Sequence, residues 1–142
     1  MGVGFTLGRI ATEQFATFPE QLDANQKVDI VHAFKFMLKP DVRQLGIVTS
    51  FDFKQKKAVV MKISVSAHFQ IGEDAWSDFE SKNKVVFPKD FITNITGITI
   101  GISRGVLHTK NEHTEFSRYM LPLLDISKVI TSELTFEFPP TK

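Results

Sequence analysis

From Ala58 to Ile71 the chain alternates: Val59, Met61, Ile63, Val65, Ala67, Phe69 and Ile71 fall on one side, and Lys62, Ser64, Ser66, His68 and Gln70 on the other. A period of two sustained this long predicts a long β-strand with one buried face. The preceding segment repeats the pattern, with Leu45, Ile47, Thr49, Phe51 and Phe53 set against Gly46, Ser50, Asp52 and Lys54. Only Gln55-Lys56-Lys57 separates the two runs, so they must pair as an antiparallel hairpin. Upstream, residues 28–38 place His32, Phe34, Phe36 and Leu38 opposite Ala33, Lys35 and Met37, and Pro40-Asp41 marks the turn that follows. A shorter strand is expected at Phe15-Ala16-Thr17-Phe18, stopping at Pro19. No spacer is long enough for a parallel crossover, which predicts a four-stranded antiparallel meander.

After Gly72 the pattern changes. Glu73 to Phe79 suits a short helix carrying Trp76 and Phe79 on one side. Pro88 sits where a helix begins, and Phe91, Ile95, Ile98 and Ile102 then recur at spacings of four, three and four. The same stretch contains Ile98-Thr99-Ile100-Gly101-Ile102, a β-like alternation, but the longer stripe and Pro88 favour a long helix that ends with Gly105 as its cap. Gly97, Gly101 and Gly105 would line one face of it, suited to close packing on the sheet or on a partner helix. Further on, Tyr119-Met120-Leu121-Pro122-Leu123-Leu124 is apolar again, and residues 129–138 end in alternation. The expected class is α+β, in a single domain spanning 1–142.

Charge and composition narrow the function. Seventeen basic and sixteen acidic residues give a net charge of +1, a balance unlike that of a nucleic-acid-binding protein. The apolar stretches are too short and mixed for membrane insertion. The chain has no cysteine, so disulfides, thiolate metal sites and cysteine nucleophiles are excluded. With no signal peptide or lipidation box in view, a cytoplasmic location is expected. Phe is over-used: fourteen residues, against one Trp and one Tyr. Such side chains either fill a core or form an apolar contact surface.

Motifs that would carry catalysis are incomplete. Gly101-Ile102-Ser103-Arg104-Gly105 matches the G-x-S-x-G of serine hydrolases, but no His follows Asp125 to complete the order acid then base. His108 and His113 are five apart, a spacing that turns them about 140° away from each other on a helix, and no third metal ligand is apparent. Asp78 and Glu80 belong to a mixed-charge stretch that reads as solvated surface. Neither catalysis, nor a metal, nor any other cofactor is therefore expected.

Several short motifs resemble, in order, those of the protein-export chaperone SecB and its relatives. Arg9-Ile10-Ala11-Thr12 is similar to the family's R-I-x-T opening, Phe69-Gln70-Ile71-Gly72 to its F-x-I-x-G, and Phe87-Pro88 to its F-P step into the long helix. Ser103-Arg104-Gly105 resembles the S-R-G that closes that helix, and Leu121-Pro122-Leu123-Leu124-Asp125 the C-terminal apolar-Pro segment. The resemblance covers about residues 9–130. It departs from the pattern in three ways. The stretch from Pro88 to Ser103 is about one helical turn longer, residues 106–120 stand as an insertion, and the chain is near neutral where SecB is strongly acidic. SecB docks an export motor ATPase through an acidic sheet surface, whereas this chain carries Lys54, Lys56, Lys57 and Lys62 on its long strands.

The resemblance implies a SecB-like fold and a chaperone that forms a dimer or tetramer and holds unfolded polypeptide clients in an apolar groove. The expected groove residues are Phe15 and Phe18 on the first strand, Phe69 and Ile71 on the long strand, and Trp76 and Phe79, expected to be partly exposed, just beyond it. The alternatives are an adaptor for one defined partner protein and a carrier of a small apolar ligand.

Overall fold

A computed structural model describes residues 4–138. Four long strands come first: β1 (Phe5–Thr17), β2 (Asp29–Lys39), β3 (Gln44–Gln55) and β4 (Ala58–Ile71). A short helix α1 (Glu73–Phe79), strands β5 (Glu80–Ser81) and β6 (Lys84–Phe87), the long helix α2 (Lys89–Asn111), a one-turn helix α3 (Ile126–Val129) and strand β7 (Leu134–Glu137) follow. The class is α+β, with four antiparallel strands followed by a short and a long helix, as the sequence predicts.

The strands lie in the order β1-β4-β3-β2. Strands β2, β3 and β4 run as a meander, and β1 lies beyond β4 instead of beside β2, which is Greek-key connectivity. Strand β1 is also far longer than the four residues expected. Its register against β4 slips at Leu7/Arg9 and again at Thr12/Gln14, so apolar residues change faces and period two is lost. Gly8 and Arg9-Ile10-Ala11-Thr12 lie within this strand rather than ahead of it.

The alternation in β3 and β4 resolves as read. Leu45, Ile47, Thr49, Phe51, Met61, Ile63, Val65, Ala67, Phe69 and Ile71 are fully buried on the inner face. The exception is Val59: a slip at Phe53/Lys54 leaves it half-buried and buries Val60 instead. Lys56 makes the hairpin turn with φ 56°. A second, smaller sheet, β5-β6-β7, covers one end of the layer, and the alternation near the chain end supplies β7.

Helix α2 follows Pro88 directly, carries Asp90 in its first turn and His108 and Lys110 in its last, charges that suit the helix dipole. It does not stop at Gly105, whose φ is not positive, but continues to Asn111. Continuation is favoured because Leu107 and Asn111 extend the buried face. That face holds Phe91, Ile92, Ile95, Thr96, Thr99, Ile100 and Ser103; Ile98 is exposed and Ile102 half-buried. Gly101 and Gly105 face away from the sheet, where an added Cβ would meet nothing within 4 Å. Gly97 alone of the three is packed, against Ile126. Packing of this stripe on its own sheet is thereby corrected.

A buried hydroxyl chain ties the helix to the sheet. Ser103 Oγ donates to the Thr99 carbonyl at 2.8 Å, and Thr49 Oγ1 of β3 donates to Ser103 Oγ at 2.8 Å. Each hydroxyl is thus satisfied away from water, as burial requires.

An apolar groove at one end of the long helix

The six residues expected to line a groove do not come together. Phe69 and Ile71 are fully buried on β4, and Trp76 and Phe79 are only 7% and 9% exposed. Trp76 and Phe79 lie beneath β6 and the start of α2. Phe79 stands 5.4 Å from Phe87 and 5.1 Å from Phe91, ring centre to ring centre, and Trp76 stands 6.4 Å from Phe87. The expectation that both are partly exposed is corrected. A short helix after a glycine is peripheral only where nothing covers it, and here the smaller sheet does.

Phe15 and Phe18 are half-buried and lie at the opposite end. Phe15 pairs with Ile63, whereas Leu7 pairs with Phe69. The partners Ile63 and Phe69 stand six extended residues apart on β4, roughly 20 Å. Phe15 borders a depression of about 400 Å³ shared with Pro19, Lys110, Asn111 and Phe116. The Lys110 ammonium lies 5.4 Å from the centre of its ring, a cation–π contact.

An apolar opening lies beside this depression. Arg104, Leu107, His108 and Asn111 are spaced three, one and three apart, so they form one stripe along the last two turns of α2. Residues 116–124 fold back alongside. Phe116 and Leu121 anchor this segment, at 2% and 5% exposure. Arg104 Nη2 donates to the Pro122 carbonyl at 2.8 Å, and Arg118 Nη2 donates to the Ala24 carbonyl at 2.8 Å while lying over the Tyr119 ring. Between helix and segment lies a cavity of about 300 Å³, which Met120 and Leu123 also border. Those two side chains are 70% and 91% exposed. Two large apolar side chains thus stand in water beside an apolar cavity.

The sequence marks the run Tyr119–Leu124 as apolar and likens Leu121–Asp125 to a family segment, but gives it no part in the groove. Its signal was present: a six-residue stretch rich in apolar side chains, interrupted by Pro and lacking a helical or strand period, cannot bury all of them.

The residues of the catalytic-looking and metal-like motifs are packed or paired. Ser103 is fully buried in mid-helix, not on a strand-to-helix turn. His108 Nε2 lies 3.4 Å and His113 Nε2 3.9 Å from the Glu112 carboxylate. Among the described residues, no three His, Cys, Asp or Glu side chains are grouped to hold a metal. On the outer face of the sheet, Arg9, Glu13, Lys39, Ser66 and His68 line a hollow of about 350 Å³. Burial lowers the His68 pKa below its ordinary 6.5, and the Arg9 cation lowers it further. Gly46 gives this imidazole room, since a Cβ there would stand 3.0 Å from its Nδ1.

Among solved structures, the chain is similar to the Mycobacterium tuberculosis Rv1957 SecB-like chaperone, determined in complex with a ChAD peptide from the Rv1956 HigA1 antitoxin. The TM-score is 0.53 at 10% identity, covering 84% of this chain and 90% of that one. A protein of unknown function from Streptococcus agalactiae aligns over 87% of this chain and 99% of its own, at 13% identity and a TM-score of 0.43. No protein-family model and no curated protein matches the sequence. The fold is SecB-like. Likeness at such low identity speaks to fold alone. Among the described residues, no helix is long and apolar enough to cross a membrane.

Proposed function

We propose that this protein is a SecB-like chaperone that acts by binding and not by catalysis, holding apolar segments of unfolded or partly folded polypeptides in the groove between α2 and residues 116–124. The observation that carries this reading is the exposure of Leu123 and Met120 beside the cavity. Water disfavours such a surface, so covering it with a client's apolar side chains is a source of affinity. Holding of this kind needs only reversible contact, without nucleotide or metal.

An adaptor for one defined partner is the second reading, favoured by the peptide complex in which the similar chaperone was solved. Docking of an export motor draws less support. The outer face of the sheet presents Lys35, Lys54 and Lys62 beside Asp52, a mixture unlike the acidic surface that the SecB resemblance implies.

Self-association into a dimer or tetramer belongs to the same proposal. Gly101 and Gly105 leave backbone bare along the outer face of α2, next to the exposed Ile98, which suits the approach of a second helix. Light scattering at tens of micromolar tests it, and a monomer there would refute the oligomer.

The decisive experiment for the groove is suppression of aggregation, using several unrelated denatured proteins. A chaperone protects most of them, and an adaptor protects none. Loss of protection in Leu123→Ser combined with Met120→Ser locates the activity in the groove; unaltered protection would place it elsewhere.

A further inference from the structure

Two irregularities in β1 put charge where plain alternation would not. Leu7 pairs with Phe69, which is buried on the inner face, so an unbroken strand would turn Arg9 inward as well. The slip between Leu7 and Arg9 sets Arg9 opposite His68 on the outer face instead. The second slip leaves Glu13 without a partner on β4, and Glu13 borders the same outer hollow as Arg9. Bulges of this kind occur next to functional sites, where they redirect a side chain.

The hollow they face lies over β3. Gly46 has no side chain there, and His68 Nδ1 and the Met37 methyl close in over it, 3.0 and 3.3 Å from where a Cβ would stand. Arg9 and Lys39 belong to the two edge strands, β1 and β2, which three strand spacings hold about 14 Å apart. Both long side chains are exposed and border this one hollow, and the half-buried Gln44 adds an amide. Among the described residues, the ion pairs involve other cations, so neither Arg9 nor Lys39 has a carboxylate within 4 Å. Glu13 is occupied differently: Ser66 Oγ donates to its Oε1 at 3.3 Å.

Charge then decides what the hollow suits. Burial lowers the His68 pKa, Arg9 and Lys39 lower it further, and Glu13 opposes them, so the imidazole is mostly neutral at pH 7. Two cations against one carboxylate leave one net positive charge. Walls that are partly buried concentrate this field more than open surface does.

We infer that the hollow is a binding site for a single carboxylate carried on a short apolar stem. The Arg9 guanidinium forks onto the carboxylate, and Lys39 attracts it from the opposite side. Gln44 or the imidazole donates to its free oxygen, and Met37 lies against the stem. One net positive charge matches a monoanion, whereas a phosphate dianion would set an uncompensated charge before Glu13. The site lies on the opposite face of the sheet from α2 and the apolar groove, so it stands whether or not the groove holds clients.

The test is an NMR titration of the whole protein with sodium butyrate at constant ionic strength, following the amides of Gln44, Gly46 and His68. Butyrate is expected to give saturable shifts there, and butyramide, of the same shape without the charge, none. Arg9→Gln should bind butyrate about tenfold more weakly, the ordinary worth of a charge-assisted hydrogen bond. The groups facing His68 are Arg9 and Glu13 from β1 and Lys39 from β2, with only uncharged Gln44 and Gly46 from β3. A bound carboxylate favours the imidazolium, so affinity should rise as pH falls from about 7.5 to about 6, where butyrate is still ionised. His68→Gln should remove that rise, and a rise that persists in it would overturn the part given to His68. Equal shifts with butyramide, or unchanged affinity in Arg9→Gln, would overturn the site. Inorganic phosphate binding more tightly than butyrate at pH 7.5 would overturn the carboxylate as its ligand. If Arg9→Gln fails to fold, the comparison of butyrate with butyramide on wild-type protein still decides.

Discussion

The layer between sheet and helix contains two apolar clusters that draw on the same kinds of side chain and close in different ways. One gathers Phe69, Trp76, Phe79, Phe87 and Phe91 beneath the smaller sheet. Phe87 stands within 6.4 Å of Trp76, Phe79, Phe91 and Phe136, centre to centre, so rings meet rings on every side. The other gathers Phe51, Met61, Ile63, Ile100, Leu107, Phe116 and Leu121, and its cover is the irregular segment 116–124. Regular elements seal the first end because a strand or helix directs a whole face inward. The irregular cover turns Leu121 inward and leaves Met120 and Leu123 in water. Aromatic residues fill both clusters, so the regularity of the cover decides whether an end of the core closes or stays open.

The largest effect that would sharpen this contrast belongs to the closed end. Phe87→Ala should cost about 3–5 kcal/mol of stability, as core aromatic truncations do, and Trp76→Ala should act in the same direction. Denaturant unfolding measures both, and a loss of client binding with stability intact would break the contrast. At the open end, Leu123→Ser with Met120→Ser should weaken client binding by about 2 kcal/mol and leave the melting temperature nearly unchanged. A melting temperature that falls as far as that of Phe87→Ala would make this end core as well.

Smaller effects are expected between and outside the two ends. Ser103→Ala removes the acceptor for Thr49 Oγ1 and should cost about 1 kcal/mol in denaturant unfolding, with binding unaffected and with hydrolysis of an activated ester expected at background in both proteins. Burial and the Arg9 cation lower the His68 pKa, so the folded state binds that proton less tightly than the unfolded chain does. Stability from neutral His68 is complete above its ordinary 6.5 and declines as pH falls below it. Melting of wild type and His68→Gln at pH 7 and pH 5 reads this directly: the variant should lose less on acidification, and equal losses would remove His68 from the account.

Legibility in the sequence followed the strength of local periodicity. The inner faces of β3 and β4 could be named residue by residue because both faces are chemically distinct. Strand β1 was under-read because its two slips scatter Leu7, Ile10 and Phe15 across phases. The end of α2 was misplaced because Gly105 looks like a cap, and only the burial of Leu107 and Asn111 reveals that the helix continues. Strands β5 and β6 are too short to carry a period. For the site, the family-like motifs pointed to the aromatic end, where packing across the chain hides Trp76 and Phe79. The groove end lay in a run without periodicity, which sequence reading notices but cannot orient.

The slips in β1 bear on the protein's own solubility. As one of the sheet's two edge strands, β1 offers an edge of the kind on which further copies stack. Its pairing is cut into runs of three, four and four residues, Phe5 to Leu7, Arg9 to Thr12 and Gln14 to Thr17. Stacking into a fibre takes an uninterrupted segment of about six or seven residues. The β1 edge thus presents no template of that length, so any stacking of copies is steered to the opposite edge, where β2 runs from Asp29 to Lys39 without a slip.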